Sequence, residues 1–221
     1  MVNIILTDII GTTSPNSYVK TLMQDCSKNG ALYIARASPG ALRIIDKIKQ
    51  ETGLKTGEEV IAYVLSEIDK RNLKPEFLAL CGEVNVDGYK TGRLKGEFFA
   101  DVPLALQRWK QNGRGIYVYS NGSEESQREM FRTASQGDLT GLIRRFFDTA
   151  EVGTKYEADS YKRIADRIQT GTRNILFLSD LEKELDGANT AGCNVKLVVR
   201  PGNKPVENPG KYSEVRSFDE I

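Results

Sequence analysis

Four short apolar runs that alternate with helical patterns constrain the fold of this chain more than any other feature. They are rich in β-branched and aromatic residues and bounded by turn residues, as buried strands are: NIIL before Asp8, GIYVYS ending at Ser120, NILFLSD ending at Asp180 and VKLVV ending at Val199. RRFFDTA is a weaker fifth candidate. Strands alternating with helices predict an α/β fold, a doubly wound parallel sheet with helices on both faces.

One interval breaks the alternation and predicts an insertion. Helical patterns fill residues 102–111, 124–133, 160–168 and 182–191, between or after the strands. Residues 15–96 instead contain helical periods (ALRIIDKIKQ, GEEVIAYVLSEIDKR) and no convincing strand. We therefore predict a core domain of residues 1–14 and 97–221, with a helical cap domain of residues 15–96 inserted after the first strand. The segment VNVDGYKTGRLKGEFF is predicted to be a turn-rich return to the core.

Two carboxylates follow predicted strands, and in an open parallel sheet ligands bind at the carboxyl ends of the strands. Asp8 follows the first strand, and Asp180 ends a later one. Mg²⁺ takes hard oxygen ligands and is usually held by one or two carboxylates plus substrate phosphate. The pattern therefore favours Asp8 and Asp180 as metal ligands, with Asp8 also attacking phosphorus to form an aspartyl-phosphate. Each residue alone is more typical of a turn or a helix cap.

Hydrogen-bond donors for a phosphoryl group are expected at the same edge. Ser120 and the backbone amides around Asn121 and Gly122 follow the second strand. Lys155 lies in the loop before a predicted helix. A phosphoryl group spreads its charge over three oxygens, which a hydroxyl, amides and an ammonium can bind. A simple turn and a solvated lysine are the alternatives for these residues taken singly.

The composition excludes some kinds of catalytic site and some classes of binding partner. The chain has no His, which excludes Ser-His and Cys-His nucleophile pairs. Its net charge is +1, so no broad basic surface is expected that would bind nucleic acid or an anionic membrane. The first residues hold too short an apolar run for a signal peptide, and no segment approaches a membrane span. Three widely spaced cysteines fit reduced thiols in a cytoplasmic protein, and we expect a monomer.

The ordered motifs DIIGTT, YSNGS, the lysine of GTKYEADSY and ILFLSDLEKELD resemble the four motifs of the haloacid dehalogenase superfamily. The chain is more closely similar to the enolase-phosphatase (acireductone synthase) family of methionine salvage. That resemblance extends through GEFFADVPLALQRW, IYVYSNGSEESQREMF, GDLTGLIRRFFDT, ADSYKRIADRI and VVRPGN, and is weakest in the cap. It implies a doubly wound core with a helical cap, Mg²⁺ as cofactor, and enolisation followed by dephosphorylation of 2,3-diketo-5-methylthiopentyl 1-phosphate.

The resemblance also implies roles for single residues. The metal would be held by Asp8, which is also the nucleophile, by the backbone carbonyl of Ile10 and by Asp180. Ser120 and Asn121 would hold the substrate. Lys155 would bind the phosphate and the charge that develops on it. Glu184 and Asp186 would not bind the metal themselves but would help to orient its direct ligands.

The main departure from the family pattern is Ile10, which replaces the Glu of D-I-E-G-T-T. In the superfamily that side chain protonates the leaving oxygen and then deprotonates the hydrolytic water. Such a group contributes about 10²–10⁴ in rate, so we expect slow release of phosphate from Asp8. A smaller departure is Asn121, where the family has Ser.

Two other functions stay open at this point. One is a catalytically impaired family member that binds a phosphorylated metabolite or a partner protein. The other is a small-metabolite phosphatase of different specificity. Asp8, Lys155 and Asp180 are retained together, which favours an enzyme over a non-catalytic descendant.

Overall fold

A computed structural model describes residues 2–35, 37, 39–70 and 74–221. Met1, Arg36, Ser38 and residues 71–73, which fall within the predicted core and cap segments, lie outside the described residues. The strands are β1 (Ile4–Thr7), β2 (Gly115–Ser120), β3 (Arg145–Asp148), β4 (Ile175–Ser179), β5 (Asn194–Val198) and β6 (Glu214–Val215). They form one parallel sheet in the order β3-β2-β1-β4-β5-β6. The predicted α/β fold is confirmed, and only the two-residue β6 was not foreseen.

Helices connect the strands along the chain. They are α1 (Tyr18–Ile34), α2 (Pro39–Thr52), α3 (Gly57–Asp69), α4 (Pro75–Lys90), α5 (Asp101–Gln111), α6 (Glu124–Arg132), α7 (Thr149–Val152), α8 (Ala158–Arg167) and α9 (Glu182–Thr190). The four helical patterns predicted in the core correspond to α5, α6, α8 and α9. Within the described residues, no helix combines the length and the apolar character that a membrane crossing requires.

Alternate residues of each central strand pack on opposite faces of the sheet, as the two-residue period of a strand requires. Ile5 belongs to a buried cluster with residues of α5 and α6, including Trp109 and Phe131. Its neighbour Leu6 belongs to a second cluster with residues of α8 and α9, including Tyr161 and Leu185. Helices therefore cover both faces, and the strand ends are left free to form a site.

The four helices between β1 and β2 have a hydrophobic cluster of their own. It joins all four helices, for example through Cys26, Ile45, Val60 and Leu80, and it is separate from the two clusters of the sheet. The Sγ atoms of Cys26 and Cys81 lie 3.2 Å apart within it, and all three cysteines are free thiols. A hydrophobic core that is separate from those of the sheet is consistent with a cap domain. The exact boundaries of that domain remain a prediction.

The prediction of a turn-rich return starting at residue 84 was partly wrong, because α4 continues to Lys90. Asn, Asp and Gly are poor helix formers, which suggested a turn. In the structure Val84 and Tyr89 are buried in two different clusters, so packing overrides propensity. Gly88 fits because any side chain there would meet the Asp25 carboxylate and Leu94. The irregular connection begins only after the helix.

Candidate active site

The parallel register brings Asp8 to the middle of the carboxyl edge of the sheet. Thr7, the last residue of β1, lies opposite Val118 of β2 and Leu178 of β4. Asp8 follows directly, and its N–H donates to the carbonyl of Leu178 at 2.9 Å. The side chain is only 4% exposed. Ser120 ends β2 and Asp180 follows β4, and these two strands lie on either side of β1. The strand ends predicted from the sequence therefore lie together at one edge of the sheet.

The turn after Asp8 is a compact backbone loop. Three successive N–H groups, those of residues 12–14, donate to the carbonyl of Ile9 at 2.8 to 3.2 Å. The Thr12 hydroxyl donates to Asp8 Oδ2 at 3.4 Å and accepts from the N–H of Asp180 at 3.1 Å. Thr12 therefore ties the loop after β1 to the loop after β4, and fixes the two predicted metal ligands relative to each other.

Lys155 is buried against two carboxylates. Its ammonium donates to Oδ1 of Asp8 and to both carboxylate oxygens of Glu184, the latter at 3.0 and 2.9 Å. Burial alone would lower the pKa of Lys155, but the charges of Asp8 and Glu184 outweigh it and raise the pKa above its usual range. A permanently charged ammonium is thus held at the predicted nucleophile.

The structure revises the expected role of the two acids after Asp180. Glu184 is 1% exposed, bonds to Lys155 and accepts a 2.8 Å hydrogen bond from the Ser179 hydroxyl. Its pKa is raised by burial first and then by Asp8. Asp186 instead bonds to the Tyr212 hydroxyl at 2.5 Å, outside the cluster. Glu184 therefore orients the lysine, and Asp186 does not join the site.

Asp180 has the features of a ligand that awaits a cation. Its Oδ1 is buried and has no hydrogen-bond partner in the part of the chain that the structure describes. Burial, followed by the negative charges of Asp8 and Glu184, raises the pKa of Asp180 to about 7. Three carboxyl groups thus share the single ammonium of Lys155. A divalent cation would balance the excess negative charge.

Only a small set of oxygens is available to that cation. Among the described residues no group of three or more His, Cys, Asp and Glu side chains has the arrangement of a metal site. Besides Asp8 and Asp180, the ligands of a cation would be main-chain oxygens, water or substrate phosphate. Within the described residues the carbonyl of Ile10 accepts no backbone hydrogen bond, which fits this need. The donors are all hard oxygens, as Mg²⁺ prefers.

The turn after β2 lies beside Asp8 and is well braced. Ser120 is the last residue of β2 and is 9% exposed, whereas Asn121 and Gly122 are exposed. The buried Gln127 side chain donates to the carbonyls of Gly122 at 2.7 Å and Phe147 at 2.8 Å. Within the described residues the N–H groups of Asn121 and Gly122 make no recorded backbone hydrogen bond, so the turn presents a hydroxyl and two amides that could bind a phosphate.

Two residues after β5 reach into the site and were given no role from the sequence. Asn203 donates to the carbonyl of Gly11 at 2.9 Å and accepts from the Asn16 amide at 2.9 Å. The Nε of Arg200 donates to the carbonyl of Thr12 at 3.1 Å. They brace the loop after Asp8 from the β5 side. The signals were their position just after a predicted strand and the resemblance carried by the segment VVRPGN, which contains both.

The side chain of Ile10 packs against the hydrophobic core and has no group that could transfer a proton. It is partly buried and lies against the hydrophobic cluster of the α5 and α6 face, which also contains Tyr18, Tyr89 and Phe98. No carboxyl group is therefore supplied at this position of the loop. The isoleucine contributes to the contact between the core and the helices inserted after β1.

Comparison with known proteins gave full-length matches. No family model matched the chain. Enolase-phosphatase E1 of Erwinia tasmaniensis is 34% identical over 226 residues, covering 100% of this chain and 97% of that protein. The protein of the same name from Persephonella marina is 35% identical over 225 residues, covering 100% and 99%. That of Synechococcus elongatus is 36% identical over 231 residues, covering 98% and 96%.

Solved structures agree on the fold. The crystal structure of the UTR4 protein of Saccharomyces cerevisiae matches with a TM-score of 0.80 and 29% identity, covering 100% of both chains. CbbY of Rhodobacter sphaeroides, in complex with phosphate, matches with a TM-score of 0.63 and 15% identity, covering 100% of this chain and 96% of the other. At that identity the second match supports the fold alone.

Proposed function

The chain belongs to the enolase-phosphatase E1 family, and from this premise we propose that it is a Mg²⁺-dependent phosphatase of methionine salvage that works through Asp8. Its substrate would be the phosphorylated diketone 2,3-diketo-5-methylthiopentyl 1-phosphate and its product the acireductone. The proposal includes a cytoplasmic, monomeric enzyme acting on a small molecule.

The pairing of Lys155 with Asp8 at the carboxyl edge of the sheet carries the proposal. Oδ1 of Asp8 is held by the ammonium and Oδ2 by the Thr12 hydroxyl, so the carboxylate is oriented before substrate arrives. In the first step a carboxylate oxygen of Asp8 forms a bond to phosphorus, and the bond from phosphorus to the ester oxygen breaks. In the second step water attacks phosphorus and loses a proton, the bond from phosphorus to the Asp8 oxygen breaks, and inorganic phosphate leaves with the carboxylate regenerated.

The remaining residues of the site would bind the phosphoryl group and the metal. Ser120 and the amides around Asn121 and Gly122 would donate hydrogen bonds to the phosphoryl oxygens, and Lys155 would neutralise the charge that develops on them. Asp8, the Ile10 carbonyl and Asp180 would hold Mg²⁺. When bound, the metal would polarise the phosphoryl group as a Lewis acid.

Ile10 makes the second step the slow one. Before the first step the diketone would enolise, losing a proton from C1 and gaining one on the C2 oxygen, so that the leaving group is an enolate and needs little help from a proton donor. The hydrolytic water, by contrast, must lose a proton in the second step. An aliphatic side chain cannot accept that proton, and a positioned base contributes about 10²–10⁴ in rate. We therefore propose that the phosphorylated form of Asp8 persists longer here than in a relative with Glu at this position.

The test is Mg²⁺-dependent phosphate release from the diketone phosphate. Asp8→Asn should abolish release, because the amide is a poor nucleophile. Asp159→Asn is the matched control, since Asp159 is an exposed partner of Lys162 on α8 and should leave the rate unchanged. Release that survives Asp8→Asn, or that needs no divalent metal, would contradict the proposal.

A further inference from the structure

Arg200 is a charged side chain buried behind the candidate site, where it is only 6% exposed. Its guanidinium lies against the rings of Phe99 and Phe218, with the central carbon 4.6 and 4.7 Å from the ring centroids. Nη1 is 2.9 Å from Oδ2 of Asp101 and donates to the carbonyl of Arg216 at 3.0 Å. Burying a charge is costly unless the charge is paired and hydrogen-bonded, so these contacts form a place that is built for an arginine.

The Nε atom of Arg200 reaches the loop after Asp8. Three successive carbonyls of that loop are each bound by a group from outside it: Gly11 by the Asn203 amide at 2.9 Å, Thr12 by Nε of Arg200 at 3.1 Å, and Thr13 by the N–H of Phe99 at 3.0 Å. Arg200 is the charged donor of the three, and hydrogen bonds from charged donors are generally the stronger ones. We therefore expect Arg200 to contribute most to the orientation of this part of the loop.

Thr12 connects this contact to the candidate metal site. Arg200 binds the carbonyl of Thr12, while the hydroxyl of the same residue lies 3.4 Å from Oδ2 of Asp8 and 3.1 Å from the N–H of Asp180. Thr is branched at Cβ and has few side-chain rotamers, so the orientation of its backbone largely determines where its hydroxyl points. A rotation of the Thr12 backbone would therefore move the hydroxyl away from both carboxylate residues.

We propose that Arg200 is a positioning residue for the metal site and acts through Thr12. The inference rests on the proposed function for the use of Asp8 and Asp180 as Mg²⁺ ligands. Among the hydrogen bonds of the described residues, Arg200 makes none to either carboxylate, so its effect is on their geometry. A lysine cannot take its place, because the planar guanidinium binds Thr12 and Asp101 at once through two nitrogen atoms, whereas an ammonium is a single point charge.

The experiment measures the Mg²⁺ affinity of Arg200→Lys by titration calorimetry without substrate, so the readout does not depend on turnover. Groups that orient metal ligands typically change metal affinity by about 10- to 100-fold. Arg200 acts one residue further from the metal, and we expect its substitution to weaken Mg²⁺ binding by about tenfold.

Arg108→Lys is the matched control and should keep the Mg²⁺ affinity of the unaltered chain. Arg108 binds the same segment that packs on Arg200, since it donates to the carbonyl of Phe218 at 2.7 Å and to Asp219 at 3.2 Å. Within the part of the chain that the structure describes, it makes no hydrogen bond to the loop after Asp8. The control therefore disturbs the neighbouring segment without disturbing Thr12.

A double-mutant cycle with Thr12→Val separates positioning from a general structural role. Valine keeps the backbone carbonyl and the shape of the side chain but removes the hydroxyl, so Thr12→Val should itself weaken Mg²⁺ binding. Residues that act as one unit show non-additive effects in such a cycle. If Arg200 acts through the hydroxyl, adding Arg200→Lys to Thr12→Val should change the affinity by less than about twofold. A second loss as large as that of Arg200→Lys alone would overturn the proposal.

Folding of each variant is checked by urea unfolding before the titration. If Arg200→Lys does not fold, Asp101→Asn takes its place; it removes the charge that holds Nη1 and should weaken Mg²⁺ binding in the same direction. Equal Mg²⁺ affinity in the Arg200 (or Asp101) variant and Arg108→Lys would overturn the positioning role and leave the metal site standing. A lack of Mg²⁺ binding by the unaltered chain would overturn the proposed metal site, and this inference with it.

Discussion

Gly11 and Asp180 approach each other so closely that a side chain at residue 11 would occupy the place of the Asp180 carboxylate. Gly11 also has a φ of +81°, a conformation that L side chains rarely adopt. The loop after Asp8 can thus meet the loop after β4 only because residue 11 lacks a Cβ atom. This contact sets the separation of the two proposed carboxylate ligands of the metal.

Gly11→Ala should therefore damage metal binding beyond its effect on stability. We expect a loss of about 10- to 100-fold in Mg²⁺ affinity, comparable to changes in the groups that orient metal ligands. Titration calorimetry with Mg²⁺ measures it. Gly113→Ala is the control, because Gly113 has a similar φ of +76° but open space around it. Both variants should lose about 1–2 kcal/mol of stability from backbone strain, so equal Mg²⁺ affinity in the two would contradict the prediction.

A second glycine holds the lysine loop against α9. A Cβ atom on Gly187 would lie 2.8 Å from the carbonyl carbon of Tyr156 and 2.9 Å from the backbone oxygen of Lys155. Gly187→Ala should overpack this contact and lower the free energy of unfolding by about 1–3 kcal/mol. Urea unfolding measures the change.

Gly82→Ala is the matched control for that variant. Gly82 lies within α4 and has open space where a Cβ would be built. Alanine favours the helix over glycine, so this variant should raise the free energy of unfolding by about 0.5–1 kcal/mol. Changes of the same sign in the two variants would show that helix propensity, rather than the close approach, governs residue 187.

Lys155→Met should strongly destabilise the metal-free protein. The substitution leaves Asp8 and Glu184 buried near each other without a cation, and breaking a buried ion pair costs about 3–5 kcal/mol. Urea unfolding at pH 7 in the presence of EDTA gives the difference. Lys162→Met removes an exposed ion pair with Asp159 and should cost under about 1 kcal/mol. A similar small loss in both variants would argue against a tightly coupled cluster.

The sequence was sufficient to predict five of the six strands and the convergence of Asp8, Ser120, Lys155 and Asp180, because each ends or follows a strand or precedes a helix with strong local signals. Parallel strands bring their carboxyl ends to one edge, so order along the chain determined which side chains meet. Only the positions of these residues follow from the fold; their chemical roles remain proposals.

Features that depend on long-range packing could not be predicted. The contact of Glu184 with Lys155 joins the first turn of α9 to the loop before α8, and the bond from Asn203 to Gly11 spans most of the chain. The continuation of α4 to Lys90 depends on the burial of Tyr89 against the core, which no local propensity records.

The most direct test of the account is the lifetime of phosphate on Asp8. The protein, with Mg²⁺ and the diketone phosphate, is quenched with acid at successive times, and phosphorylation of Asp8 is measured by peptide mass spectrometry. Ile10→Glu supplies the missing base, and Ile10→Gln supplies similar size and polarity without it.

We predict that the unaltered chain and Ile10→Gln accumulate phosphate on Asp8. Ile10→Glu should clear it faster, by about 10²–10⁴. Phosphate release with no phosphorylation of Asp8 at any time would contradict the account, as would equal lifetimes in Ile10→Glu and Ile10→Gln.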